Sequence, residues 1–163
     1  MSWDLRLLRI TAVKKMTKNR KKIQIINGPN LNMLGKREPE IYGSLSLDQI
    51  NSDLAQNAEP LGLELDFSQS NHEGAIIDKI HENFNAKIDG IIINPGALTH
   101  TSIAIRDALL LLPCPIIEIH LSNIYKREVF RHKSLLADIV TGQISGFGSY
   151  GYKMALNAMA DMI

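Results

Sequence analysis

The sequence predicts an α/β fold, a five-stranded parallel sheet with helices on both faces, and three observations predict it. From Ile23 onward, short apolar runs alternate with helical stretches five times, the order that produces βα units wound in parallel. The runs KIQIIN, GIIIN and PIIEIHLS are nearly continuous in isoleucine, as strands buried on both faces are. No linker, tandem repeat or low-complexity tract separates the units, so residues 22–163 read as a single domain.

Each element has its own signal. KIQIIN (22–27) is the first strand, and a polar loop runs from it through Gly43. Ser46 and Gln49 have capping-box spacing and open a helix, LDQINSDLAQNA, that ends near Pro60 and Gly62. LELDFSQ (63–69) alternates, which suits a half-buried strand near a sheet edge. EGAIIDKIHENF (73–84) sets Ile76, Ile77, Ile80 and Phe84 on one helical face. GIIIN (90–94) is the third strand, followed by a helix from Thr101 to Leu112. PIIEIHLS (115–122) is the fourth, with a short charged helix from Lys126 to Arg131 after it. IVTGQIS (139–145) is the fifth, and the last helix runs from Gly151 to the C-terminus.

Composition excludes several classes of function. With 45% hydrophobic and 21% charged residues the chain is globular rather than disordered. A net charge of +1 gives no broad field for nucleic acid or an anionic membrane. Cys114 is the only cysteine, so there is no internal disulfide and no thiolate metal cluster, a usage that suits a reducing cytoplasm. The apolar runs fall short of the roughly 20 residues that span a bilayer. Residues 1–21 are basic, but Arg6 and Arg9 interrupt their apolar positions, so they do not form a signal peptide. They read as an N-terminal extension, either disordered or left by an upstream start site or by expression, since Met16 stands shortly before the first strand. A basic arm for nucleic acid is the weaker alternative.

Open parallel sheets bind ligands beyond the carboxyl ends of their strands, so the residues after each strand carry the functional information. After the first comes NGPNLNMLGKREPEIYG, longer than an ordinary βα connection. Asn30 and Asn32 could simply bond their own backbone there, which explains Arg37 and Tyr42 less well. After the third comes NPGALTHTS, where Thr99, Thr101 and Ser102 are candidate helix caps. Asn94 and His100 stand equally well as structural residues or as parts of a site for a substrate acid. In the fourth strand Glu118 and His120 are two apart and share one sheet face. Burying both is costly unless they bond each other. They form either a satisfied core pair or a histidine oriented by a carboxylate for acid–base work; the carboxyl-end position of His120 favours the second. GFGSYG (146–151) matches a dinucleotide fingerprint, but no further strand or ribose-binding acid follows, so close packing explains it better. HEG at 72–74 lacks the second histidine of a zinc motif.

Taken together, INGPNLNMLGKREPEIYG, IIINPGALTHTSIAIRDA, PIIEIHLSNIYKREVFRHKS and TGQISGFGSYGY resemble the type II 3-dehydroquinases, in that family's order, from Ile23 to near the C-terminus. The resemblance implies a flavodoxin-like three-layer sandwich and a lyase that dehydrates 3-dehydroquinate to 3-dehydroshikimate by anti elimination. It implies no cofactor and no metal, a cytoplasmic location, and a homododecamer assembled from trimers. By the same resemblance Tyr42 is the base, Arg37 holds it as phenolate, and Asn30 positions a water at the enolate. His120 is the acid and Glu118 orients it. Asn94, His100, Leu121, Ser122 and Arg131 match substrate-binding positions, and Asp107 matches a trimer contact beside the neighbouring site. Arg127 matches a position near the pocket without an assigned role. Leu136 and Asp138 depart from the family pattern and bear on local packing. The rival from another class is a non-catalytic flavodoxin-like module that binds a phosphate-bearing ligand or a partner, against which the lack of a phosphate loop counts.

Overall fold

The isoleucine runs pair in parallel. The computed structural model describes residues 20–36 and 44–163. Its strands are β1 (Lys21–Asn27), β2 (Leu63–Gln69), β3 (Gly90–Asn94), β4 (Ile116–His120) and β5 (Gly142–Ser145). They form one sheet in the order β2-β1-β3-β4-β5. The helices are α1 (Leu47–Ala58), α2 (Glu73–Ala86), α3 (Ile103–Leu109) and α4 (Tyr150–Met162). Alternation along each strand splits the core in two. Ile23, Ile25, Ile92, Ile117 and Ile119 meet Leu54, Leu156 and Met159 of α1 and α4. Ile26, Ile91, Ile93 and Ile116 meet Ile76, Ile80, Ile105 and Leu109 of α2 and α3. Each such side chain taken from water contributes about 1.5–3 kcal/mol, so the sandwich rests on these two layers. Among the described residues no helix is long and apolar enough to cross a membrane.

The capping box is formed: Ser46 Oγ accepts from the Gln49 N–H at 3.2 Å, and Gln49 Oε1 from the Ser46 N–H at 2.8 Å. β2 is an edge strand, as its alternation predicts. Four expectations need correction. Phe84 is 47% exposed because the inward stripe of α2 runs through Ile76, Ile80 and Asn83. α3 is shorter than 101–112, because a 3₁₀ turn (Gly96–His100) precedes it and the Ser102 hydroxyl caps it, accepting from the Ile105 N–H at 2.9 Å. The charged stretch at 126–131 forms two 3₁₀ turns, Ile124–Lys126 and Val129–Arg131, instead of a helix. The Asn123 side chain starts the first of these by accepting from the Tyr125 N–H. β5 begins only at Gly142, since the N–H groups of Ile139 and Val140 turn back onto the Leu136 carbonyl.

The chain leaves β1 for one side of the sheet and returns through β3 on the other, so the crevice of this fold opens above these two strands. Gly28 closes its floor. Its N–H donates to the Asn94 carbonyl at 2.7 Å, and a Cβ there would lie 2.4 Å from the Pro95 carbonyl oxygen. Only glycine lets the loops after β1 and β3 approach so closely.

Candidate active site

Glu118 and His120 project from β4 on the side of α2 and α3, and both are buried. His120 Nε2 lies 2.7 Å from Glu118 Oε1. A carboxylate only accepts, so Nε2 is the donor and Nδ1 is the ring nitrogen left for the cavity. Burial alone would raise the Glu118 pKa. The hydrogen bond and charge of His120, with further bonds from Thr99 and Gln143, outweigh it and hold the carboxyl below its usual range. The pair is therefore an oriented imidazole backed by an anion.

A cavity of about 150 Å³ lies at the carboxyl ends of the strands, and His120 forms part of its wall. Asn30, Asn94, His100, Leu121, Ser122 and Arg131 line it as well. Asn30 sits in the left-handed region at φ 67° and makes no side-chain capping bond; its N–H is anchored by Asn71 Oδ1 at 2.9 Å. Asn30 is thus an exposed turn residue, as the structural reading has it, but its side chain does not cap the turn that follows. His100 stacks on His120 with ring centroids 6.4 Å apart, and its Nδ1 donates to the Lys133 carbonyl at 2.8 Å. Arg127 also lines the cavity, 3.4 Å from the Ser122 hydroxyl, and Glu128 pairs with Arg131 at 2.9 Å. Two guanidinium groups, two carboxamides and two imidazoles at one cavity suit a small polar anion.

The sequence profile of the class II dehydroquinases matches residues 21–160. The chain belongs to this family. It is 54% identical over 142 residues to the 3-dehydroquinate dehydratase of Halothermothrix orenii, covering 87% of this chain and 95% of that one. The enzyme of the same name from Roseiflexus castenholzii is 59% identical over 136 residues, covering 83% and 85%. The crystal structure of the type II dehydroquinase from Butyrivibrio crossotus superposes with a TM-score of 0.84 at 48% identity, over 86% of this chain and 97% of that one. The flavodoxin-like architecture expected of a dehydroquinase is the one present.

One residue expected at a subunit contact lies away from the cavity of this dehydroquinase. Asp107 is exposed on α3 and does not line it. Arg37 and Tyr42 lie outside the described residues. Sequence reasoning missed three partners of Glu118, namely Thr99, Ser134 and Gln143. It also missed Tyr152, fully buried on α4, which donates to Asn27 Oδ1 and accepts from Asn94 Nδ2 at 3.2 Å. Burial pushes the Tyr152 phenol up, so it keeps its proton and holds the Asn94 amide in place. These four belong to distant segments and carry no local pattern. In the GFGSYG run, a Cβ at Gly146 would lie 3.0 Å from Asn123 Cβ and one at Gly151 3.5 Å from Ile144 of β5, whereas Gly148 stands in open space.

Proposed function

We propose that this class II dehydroquinase dehydrates 3-dehydroquinate to 3-dehydroshikimate by anti elimination through an enolate, serving the shikimate pathway toward chorismate and aromatic amino acids. The observation that carries this reading is the Glu118–His120 bond of 2.7 Å at the wall of a cavity with two arginines. Removing a proton next to a ketone needs a base, a stabiliser for enolate charge, and an acid for the leaving group. Tyr42, as phenolate beside Arg37, takes the proton and leaves the electron pair in the enolate. Asn30 holds a water against the enolate oxygen. The enolate collapses to the conjugated enone, the carbon–oxygen bond opposite the lost hydrogen breaks, and His120, as an imidazolium bonded to Glu118 through Nε2–H, delivers its Nδ1 proton so that water departs. Exchange with solvent returns a proton to His120 and removes one from Tyr42. Arg131, His100, Asn94, Leu121 and Ser122 bind the substrate's carboxylate and hydroxyl groups. The chemistry needs no metal, cofactor or imine, and the chain is a cytoplasmic dodecamer of trimers in which Asp107 lies at the contact between subunits.

The test is the ultraviolet absorbance of the conjugated enone when purified protein meets 3-dehydroquinate. Steady growth of that band, unaffected by chelator, supports the reading. Binding without any product would leave the non-catalytic module as the better account.

A further inference from the structure

Glu118 has more donors than the orientation of one imidazole requires. Besides His120 Nε2 at 2.7 Å, it accepts from the Thr99 hydroxyl and from Gln143 Nε2 at 2.5 Å. The Ser134 hydroxyl lies 3.0 and 2.9 Å from its two oxygens. A carboxylate has about four lone-pair positions, so these donors fill it. Rotating the carboxylate would break several of the bonds at once.

Ser134 is itself held. The Leu136 N–H donates to its oxygen at 3.0 Å, which anchors the hydroxyl beside Glu118. Thr99 and Ser134 lie 2.8 Å apart, oxygen to oxygen. The same segment reaches the other histidine, because the Lys133 carbonyl accepts from His100 Nδ1. The segment is pinned in turn. Leu135 N–H donates to the Thr99 carbonyl at 2.7 Å, and Arg106 Nη1 donates to the Leu135 carbonyl at 2.6 Å. Arg106 Nη2 also bonds Asp138 at 2.9 Å. Neither Thr99 nor Ser134 lines the cavity, so neither hydroxyl is placed to touch substrate.

We propose that Ser134 and Thr99 are positioning residues for the reaction: their hydroxyls fix the Glu118 carboxylate in the rotation that keeps His120 bonded through Nε2 and offers Nδ1 to the cavity. The inference rests on the reading of His120 as the acid. A carboxylate with fewer fixed donors can turn, the imidazole follows it, and the proton reaches the leaving oxygen less often. Misplacement of a reacting group by about 1 Å can cost on the order of 10²-fold in rate.

The experiment measures kcat, KM and the ¹⁵N shifts of the His120 ring in full-length Ser134→Ala, Ser134→Thr and Thr99→Val proteins. Ser134→Ala is expected to lower kcat about tenfold or more while KM stays within about twofold. Its neutral His120 should show a mixture of tautomers in place of Nε2–H alone. Ser134→Thr, which restores a hydroxyl, should recover most of the rate. Thr99→Val should repeat the pattern more weakly, and it carries the test should Ser134→Ala not fold. Wild-type kcat with an unchanged tautomer in both hydroxyl-lacking variants would overturn the proposal. His120→Ala keeps the two readings apart: its inactivity beside fully active Ser134 and Thr99 variants sinks the positioning role alone, whereas its full activity removes the acid itself.

Discussion

At the scale of single residues, the account turns on which group takes the proton and which returns it. An ordinary tyrosine has a pKa of about 10, so a phenolate base at neutral pH needs a cationic partner, the role proposed for Arg37. Tyr42→Phe keeps the ring and loses the base, so kcat should fall by about 10²–10⁴ with KM little changed. Arg37→Ala should lower kcat too and move the acid limb of the pH–rate profile to higher pH. Near-normal turnover by Tyr42→Phe would put the base elsewhere, with His120 next in line. The Glu118–His120 pair was legible in the sequence because a two-residue step on a strand fixes a shared face. Its other partners were not, since Thr99, Ser134 and Gln143 reach Glu118 across 16 to 25 residues of chain. Nothing local in their segments distinguishes a serine that bonds a carboxylate from one that bonds water.

Elements were most legible where local chemistry and burial agree. α1 has its capping box, and β1, β3 and β4 have isoleucine runs buried on both faces. The misjudged stretches are those where tertiary contacts override pattern. Lys126–Arg131 has helical composition, but the Asn123 side chain starts one short turn and extended backbone at Arg127 and Glu128 separates it from the next. Ile139 and Val140 look like strand residues, yet they serve as packing for the α2–α3 layer after the turn at Leu136. The cap of α1 gives a clean prediction at this scale. Ser46→Ala removes an acceptor from an orphan N–H, so it should cost about 1 kcal/mol. In a domain of this size that lowers Tm by roughly 2–4 °C. Thermal unfolding checks it, and an unchanged Tm would mean that the cap adds nothing beyond the packing of Ile50 and Leu54.

For the whole molecule, pH and assembly are the accessible variables. Glu118 and Asp89 are both held below their ordinary values of 4.5 and 3.8. For Asp89, burial works the other way, but the Lys22 N–H and the Lys21 ammonium prevail. A carboxyl with a depressed folded pKa takes up its proton more readily when unfolded. Its stabilisation is complete above the unfolded value and is lost as pH falls through the folded one. Urea midpoints should therefore hold near neutrality and drop as pH goes below about 4.5; a midpoint unchanged at about pH 3 would contradict the ionised Glu118. For assembly, Asp107→Ala should weaken trimers and substrate binding together, read by light scattering and KM, and a monomeric variant of full activity would refute a shared site. The central claim, anti elimination through an enolate, is tested most directly with 3-dehydroquinate carrying deuterium in place of one of the two hydrogens on the methylene between the ketone and the carbon that bears the departing hydroxyl. Mass spectrometry of the enone should show loss of the hydrogen opposite the departing hydroxyl and retention of the other, whereas loss of the hydrogen on the same side would contradict the arrangement of base and acid.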